Sequence, residues 1–276
     1  MLAMTSDYAK STGCPKPYLR QIAEAGFSHV HWCHHWNGDF VYSTHEVEQI
    51  ANWLAEFGMQ LLDLHASQGR EKCWLSAREY ERLAGLELVK NRVEMAARLA
   101  SDVIILHAPA APQAARKREA LWAQLRRSLD DLLSFAAAHG VRIALENMGG
   151  DADWTLIQGL FAEYGPEYLG LCYDSGHGNI AGTGLDHLET LKSRLVSVHL
   201  HDNNGKGDQH RLPFTGMVDW GRLTRIIAES AYTKCLSLEA GIRQSGIGGG
   251  NTFLAKAFEA GMTLTGMVNR CAAADH

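Results

Sequence analysis

The chain has 276 residues, 46% of them hydrophobic and 21% charged, with a formal net charge of −5 at pH 7 and a sequence pI near 6.3. That length suits a single domain over 1–276 built as a large alternating barrel, and the acidic balance gives no overall basic field for nucleic acid. The cysteines (Cys14, Cys33, Cys73, Cys172, Cys235, Cys271) form no Cys-x-x-Cys pair, the first residues lack the basic flank and apolar core of a secretory leader, and no apolar run approaches the ~20 residues of a membrane span, so a cytoplasmic protein with reduced thiols is expected.

Taken in order, Leu2 to Thr5 forms a short strand, and Pro17 to Ala25 has helical spacing with Gly26 in a stop position. Ser28 to Trp32 alternates as a second strand, then gives way to Cys33-His-His-Trp-Asn-Gly-Asp39, a loop dense in histidine and tryptophan. Ser43-Thr-His-Glu46 has the form of a capping box ahead of an amphipathic run, Val47 to Phe57, that Gly58 stops. Leu61 to His65 is a third strand, and a charged amphipathic stretch from Ala77 to Ala100 supplies the next helix. Val103 to His107 is the fourth. Ala108-Pro-Ala-Ala-Pro112 forces a loop after it, before a helix over Ala114 to Ala138 closed by His139-Gly140.

The fifth strand, Val141 to Glu146, and the sixth, Leu169 to Asp174, both end in a carboxylate, and Val196 to His199 is the seventh. Asp219 is placed as the N-cap of a helix that runs to Ala231, Leu236 to Glu239 is the eighth strand, and a last helix covers Thr252 to Met267. Eight strand–helix units of about 34 residues describe a (β/α)8 barrel, an α/β fold. A doubly wound sheet would show a Gly-x-Gly-x-x-Gly turn after its first strand, and none occurs there. Gly248-Gly-Gly250, after the eighth strand, reads either as a phosphate-holding turn at a helix N-terminus or as a flexible loop.

The positions of the polar residues point to chemistry. His65, His107, Glu146, Asp174, His199 and Glu239 stand at the carboxyl ends of strands three to eight, which meet at the mouth where barrel enzymes act. A lone strand-end histidine is more often a hydrogen-bonded structural residue than a ligand, and a lone glutamate usually pairs with arginine. Together they differ, because converging carboxylates repel one another unless a cation or proton neutralises them. Glu146, Asp174, His199 and Glu239 make an oxygen-rich set suited to Mn²⁺, Mg²⁺, Co²⁺ or Zn²⁺. Adding His65, His107, His177, Asp208 and His210, as further metal or substrate ligands, would support more than one ion, and His201 falls on the His199 face as a supporting or substrate contact.

Trp32, Trp36 and Trp74 lie at or just beyond the ends of strands two and three, where rings either stack on a sugar or plug the mouth and build a subunit interface; a homo-oligomer stays open. Arg116-Lys-Arg118 and Arg126-Arg127 fall on an outer helix as solvated faces.

These motifs resemble the xylose-isomerase-like barrel superfamily of sugar isomerases, sugar epimerases, inosose dehydratases and zinc-dependent apurinic endonucleases. The resemblance covers essentially the whole chain and rests on Leu145-Glu-Asn147, Tyr173-Asp-Ser-Gly-His177, Val198-His-Leu-His-Asp202, Asp208-Gln-His210 and Leu238-Glu239. It implies that Glu146, Asp174, His199 and Glu239 are the central metal ligands of an isomerase or epimerase. The three-zinc endonuclease pattern also falls on His65, His107, Glu146, Asp174, His177, His199, Asp208, His210 and Glu239. Leu212-Pro-Phe-Thr-Gly-Met-Val-Asp-Trp220 is similar to the loop of the sugar-phosphate isomerase and epimerase branch, which favours that reading.

The expected chemistry is proton transfer on a sugar, sugar phosphate or cyclic polyol through a metal-stabilised enediolate, with Glu146 and Glu239 as proton carriers. A β-leaving hydroxyl would turn the same intermediate toward loss of water. Multi-zinc phosphodiester hydrolysis is the competing class, and a non-catalytic metal-dependent binding protein is the third.

Overall fold

The computed structural model describes residues 1–110, 112 and 114–274. Eight parallel strands roll into one barrel: β1 (Leu2–Thr5), β2 (His29–Trp32), β3 (Gln60–His65), β4 (Val103–His107), β5 (Arg142–Glu146), β6 (Leu169–Asp174), β7 (Leu195–His199) and β8 (Leu236–Leu238). Each strand pairs with its successor through β7, and β8 returns to β1 with Leu2 opposite Leu236. The remaining seam is closed by Leu200, whose N–H donates to the Ser237 carbonyl at 2.9 Å and whose carbonyl accepts from the Glu239 N–H at 3.1 Å.

The helices of the outer ring are α1 (Lys16–Glu24), α2 (Thr44–Glu56), α3 (Glu79–Arg98), α4 (Ala115–Ala138), α5 (Asp151–Glu163), α6 (Ser175–Ala181), α7 (Gly184–Leu191), α8 (Trp220–Ala228) and α9 (Gly250–Ala274). The capping box forms at α2: Ser43 Oγ accepts from the Glu46 N–H at 3.3 Å, and Glu46 Oε2 accepts from the Ser43 N–H at 2.7 Å. Asp219 caps α8, its Oδ1 accepting from the Arg222 N–H at 2.9 Å. Gly58 and Gly140 both stop their helices at φ +65°, a left-handed conformation that a Cβ would disfavour.

Helices α5 and α6 carry no clear periodic signal in the sequence, whereas the short α7 is amphipathic and was passed over. Gly176, Gly178, Gly182 and Gly184 crowd α6 and the start of α7 with a residue of low helix propensity, and α5 is held by deep burial of Trp154, Ile157 and Leu160 instead. Helix α9 begins at Gly250 and runs to Ala274, beyond the predicted Thr252 to Met267, whereas α8 ends at Ala228, before Ala231. Ala111, in the proline-containing loop after β4, lies outside the described residues, as do Gln113 and the last two.

Two apolar layers hold the barrel. Between sheet and helices, Leu19, Ile22, Val89, Leu129, Ile157 and Leu223 are fully buried, each contributing about 1.5–3 kcal/mol. Inside the barrel, Val103, Ile105, Ala144 and Cys172 form a separate buried plug. Side chains alternate along a strand, so one step above this plug the inward positions are His107, Glu146 and Asp174. On β3, β7 and β8 the same step runs from Asp63, Ser197 and Ser237 to His65, His199 and Glu239. The plug supplies packing and the next layer is left to polar groups.

Candidate active site

His65, Glu146, His199 and Glu239 converge in the upper layer so that one ligand atom from each lies within 4.8 Å of the others. His199 Nδ1 lies 3.0 Å from Glu239 Oε2 and 3.2 Å from Glu146 Oε2, and His65 Nε2 lies 3.4 Å from Glu239 Oε1 and 3.5 Å from Glu146 Oε2. These groups are almost sealed from water, with Glu146 1% and Glu239 9% exposed. Yet Glu146 Oε2 and both ring nitrogens of His199 find no well-directed hydrogen-bond partner among the described residues. They approach one another at the distance of a hydrogen bond without its direction. Ligand atoms sharing a cation at about 2.1 Å lie about 3.0–3.4 Å apart, so the spacing and the orphaned lone pairs both fit a divalent ion in this N₂O₂ cage.

Asp174 stands slightly apart from that tetrad. Its Oδ1 accepts from the His177 N–H at 2.6 Å, capping α6, and its Oδ2 lies 3.0 Å from His201 Nε2. It therefore joins Glu146 and His177 in an adjoining group of potential ligands. Asn147, next to Glu146, clamps the strand ends together: its Oδ1 accepts from the Asp174 N–H at 2.8 Å and its Nδ2 donates to the Asp174 carbonyl at 3.0 Å. His177 Nδ1 is 3.0 Å from the Asn147 carbonyl and 3.4 Å from Glu146 Oε1.

The outer wall comes from the loop after β7. His210 adopts φ +43°, rare for a residue with a Cβ. Its Nδ1 lies 2.7 Å from the Glu239 carbonyl, which aims Nε2 at Asp208 Oδ2, 2.9 Å away. Asp208 also faces His177 Nε2 at 3.5 Å. His201 stacks on His210 with ring centroids 4.1 Å apart and joins His210 and Glu239 in a third group. A Cβ on Gly176 would come within 2.0 Å of the His201 ring, so glycine is required for the ring to stand there. His107 completes the wall, Nε2 3.5 Å from Glu146 Oε2.

The charges respond to this crowding. Burial opposes ionisation of Glu146 and Glu239, yet the surrounding histidines, His199 foremost, hold both carboxyls well below their usual range. Burial disfavours the cationic ring of His177, but Asp174, Asp208 and Glu146 raise it to about 12. Asp208 and Glu239 likewise outweigh burial at His210 and raise it to about 10. His107 is lowered to about 4 by burial, which leaves it a neutral donor of lone pairs. Converging carboxylates demand positive charge; protons on histidine supply it, and so would a divalent cation.

Above the cluster opens a cavity of about 410 Å³, lined among others by Tyr8, Lys10, Trp36, Asp208 and Arg243, within the range of small-molecule sites. Trp36 lies over the histidines, its ring 5.2 Å from His65 and 4.9 Å from His107. Trp32 does not share this position: it is 1% exposed, donates from Nε1 to the Tyr42 hydroxyl at 3.0 Å, and borders a separate apolar hollow. Trp74 is also 1% exposed and stays inside the packing. Asp202, which closes the Val198–Asp202 motif, turns away to accept from Trp220 Nε1 at 3.0 Å and the Val218 N–H at 3.1 Å, anchoring the Leu212–Trp220 loop. Arg126 and Arg127 pair with Glu163 and Glu79, each at 2.8 Å, on the outer helices.

Sequence reasoning passed over His31, Cys33 and Asp63, which lie beneath this cluster. The signal was present, since His31 and Cys33 alternate on one strand face and Asp63 precedes His65 by two residues.

The profile of the xylose isomerase-like TIM barrel family matches residues 19–259. The chain belongs to that family. It is 33% identical to the uncharacterised protein y4fM of Sinorhizobium fredii, over 80% of this chain and 79% of that one. Among solved structures it resembles a D-psicose 3-epimerase crystallised in the presence of D-fructose, at 18% identity with a TM-score of 0.78, over 97% of this chain and 99% of the other. It also resembles the IOLI protein with a bound zinc atom, at 15% identity with a TM-score of 0.72, over 98% of each chain. At such identities the likeness is one of fold.

Proposed function

We propose that the protein is a divalent-metal-dependent isomerase or epimerase of a sugar, sugar phosphate or cyclic polyol. The observation that carries this reading is the pair Glu146 and Glu239: two buried carboxylates from different strands that close on the same His199 nitrogen, on the floor of a cavity of small-molecule size. A divalent ion held by Glu146, His199 and Glu239, with His65 or Asp174, would bind neighbouring substrate oxygens and stabilise the enediolate charge. Zn²⁺, Mn²⁺, Co²⁺ or Mg²⁺ fits such donors.

The protein groups then divide the work. One glutamate removes the proton from the carbon next to the carbonyl; return of a proton by the other to the opposite face of that carbon inverts it, whereas delivery to the former carbonyl carbon, with the hydroxyl proton passing to the other oxygen, shifts the carbonyl. Trp36 covers the reacting carbon against water, while Tyr8, Lys10 and Arg243 offer contacts to the outer hydroxyls or a terminal anion of the substrate. The likeness to a D-psicose 3-epimerase and to the zinc-bound IOLI protein supports the sugar and metal parts of the reading.

The second reading is a multi-metal phosphodiesterase, favoured by the two adjoining groups, Glu146–Asp174–His177 and His201–His210–Glu239. Product analysis decides between them. The metal-loaded protein is incubated with a panel of ketoses, their phosphates and inososes, and separately with duplex DNA containing an abasic site. Epimer or isomer formation without nicking is expected; metal-dependent nicking with no sugar turned over would overturn the proposal.

A further inference from the structure

Beneath the cavity floor, His31 on β2 and Cys33, just past the strand's end and two residues on, are 0% and 2% exposed. His31 Nδ1 lies 2.7 Å from Asp63 Oδ1, and the other Asp63 oxygen accepts from the Ser197 hydroxyl. A carboxylate so placed accepts a hydrogen bond from Nδ1–H and leaves Nε2 with its lone pair, the orientation that carboxylate–histidine pairs impose on metal-binding imidazoles. That lone pair points at Cys33 Sγ, 2.8 Å away. Glu239 Oε1 lies 3.7 Å from the same sulfur and 3.9 Å from His31 Nε2, and His65 Nε2 lies 3.4 Å from Glu239 Oε1.

A thiol donating to an imidazole would account for the Cys33–His31 contact alone. It leaves unexplained why Glu239 Oε1 and His65 Nε2 turn to the same point, all four donors lying within 4.8 Å of one another. Glu239 has one oxygen for each side, Oε2 toward His199 and Oε1 toward His31, Cys33 and His65.

We infer that His31, Cys33, His65 and Glu239 form an inner, thiolate-containing metal position, with Glu239 bridging it to a cavity-floor position then held by Glu146, Asp174 and His199, because the one lone pair of His65 Nε2 serves a single ion. A sulfur ligand selects thiophilic ions such as Zn²⁺, Co²⁺ or Cd²⁺ over Mg²⁺ and Mn²⁺. Binding there releases the Cys33 thiol proton to solvent as the thiolate coordinates the ion. The inference rests on the reading of the Glu146–Glu239 cluster as a metal site, and its test separates the two.

The full-length protein, stripped of metal, is titrated with Co²⁺ while bound cobalt and the near-ultraviolet thiolate-to-cobalt charge-transfer band are followed. The band is expected to grow in with cobalt, to vanish in Cys33→Ser and Cys33→Ala, and to persist in Cys172→Ser, which replaces the other thiol buried in the barrel interior. Cobalt bound to the wild-type protein without the band would overturn the inner site and leave the proposed activity standing. A band lost in Cys172→Ser instead of Cys33→Ser would also overturn it. No cobalt bound at all would overturn both.

Discussion

Metal loading should raise the melting temperature by an amount the structure lets us state. The cage at Glu146, His65, His199 and Glu239 exists only when β3, β5, β7 and β8 are assembled, so an ion that fills it binds the folded chain and stabilises it. At a free ion concentration 1,000 times its Kd the stabilisation is about 4.1 kcal/mol. Unfolding entropy of about 2.1 cal/mol/K per residue gives about 580 cal/mol/K for 276 residues. The ratio predicts a rise in Tm of about 7 °C for one ion. Calorimetry of the protein in excess chelator, then with Zn²⁺, Co²⁺ or Mn²⁺, measures it. Glu146→Gln, nearly isosteric and 1% exposed at this position, should remove most of the shift. A Tm that does not move at saturating ion, for every ion tried, would refute the reasoning.

Three further outcomes follow from named contacts. Trp36→Ala strips the ring from His65 and His107 and should lower kcat/KM about tenfold, read by steady-state kinetics with metal content unchanged. Arg92→Met removes the guanidinium that donates to the Phe40 carbonyl at 3.0 Å and to Asn91 Oδ1 at 2.7 Å; Asn91 Oδ1 keeps the Tyr42 N–H at 2.9 Å, so the loss at Phe40 should cost about 1–3 kcal/mol in urea unfolding. Burial would raise the Asp102 carboxyl, but Lys234 and Arg142 hold it below its usual value. Its contribution is present above the unfolded carboxyl pKa of about 3.9 and fades as pH falls through the lower folded value. Because the side chain is 48% exposed, Asp102→Asn should cost under about 1 kcal/mol at pH 7 and nothing near pH 2, as urea midpoints at the two pH values will show.

The barrel was legible because β-strand ends carried their own punctuation: Val103–His107 and Leu169–Asp174 are found at the bounds their alternation and apolar content predict. Helices with strong apolar stripes or caps, such as α2 after Ser43, were equally plain. Helix α6 was not, because its glycines weaken the helical pattern, and α7 is amphipathic but only eight residues long. At the site, the set of strand-end residues could be read from position alone, since parallel strands of a barrel bring their carboxyl ends together. What sequence could not resolve was direction. Trp32 and Asp202 sit beside site residues but face outward, and Asp174 divides its oxygens between a helix cap and His201. The His31–Asp63 pair joins strands 32 residues apart in the chain, a contact that only the barrel register creates.

The account stands or falls on proton transfer by Glu146 and Glu239. The direct measurement is mass spectrometry and NMR of a ketose or inosose recovered after incubation with the metal-loaded protein in deuterated water. Deuterium should enter at the carbon next to the carbonyl with the wild-type protein, because the proton delivered comes from the second glutamate, which exchanges with solvent between turnovers, and incorporation should fall by at least about 100-fold in Glu146→Gln and Glu239→Gln. Incorporation at the wild-type rate in both variants, or none with any substrate that the wild-type protein converts, would contradict it.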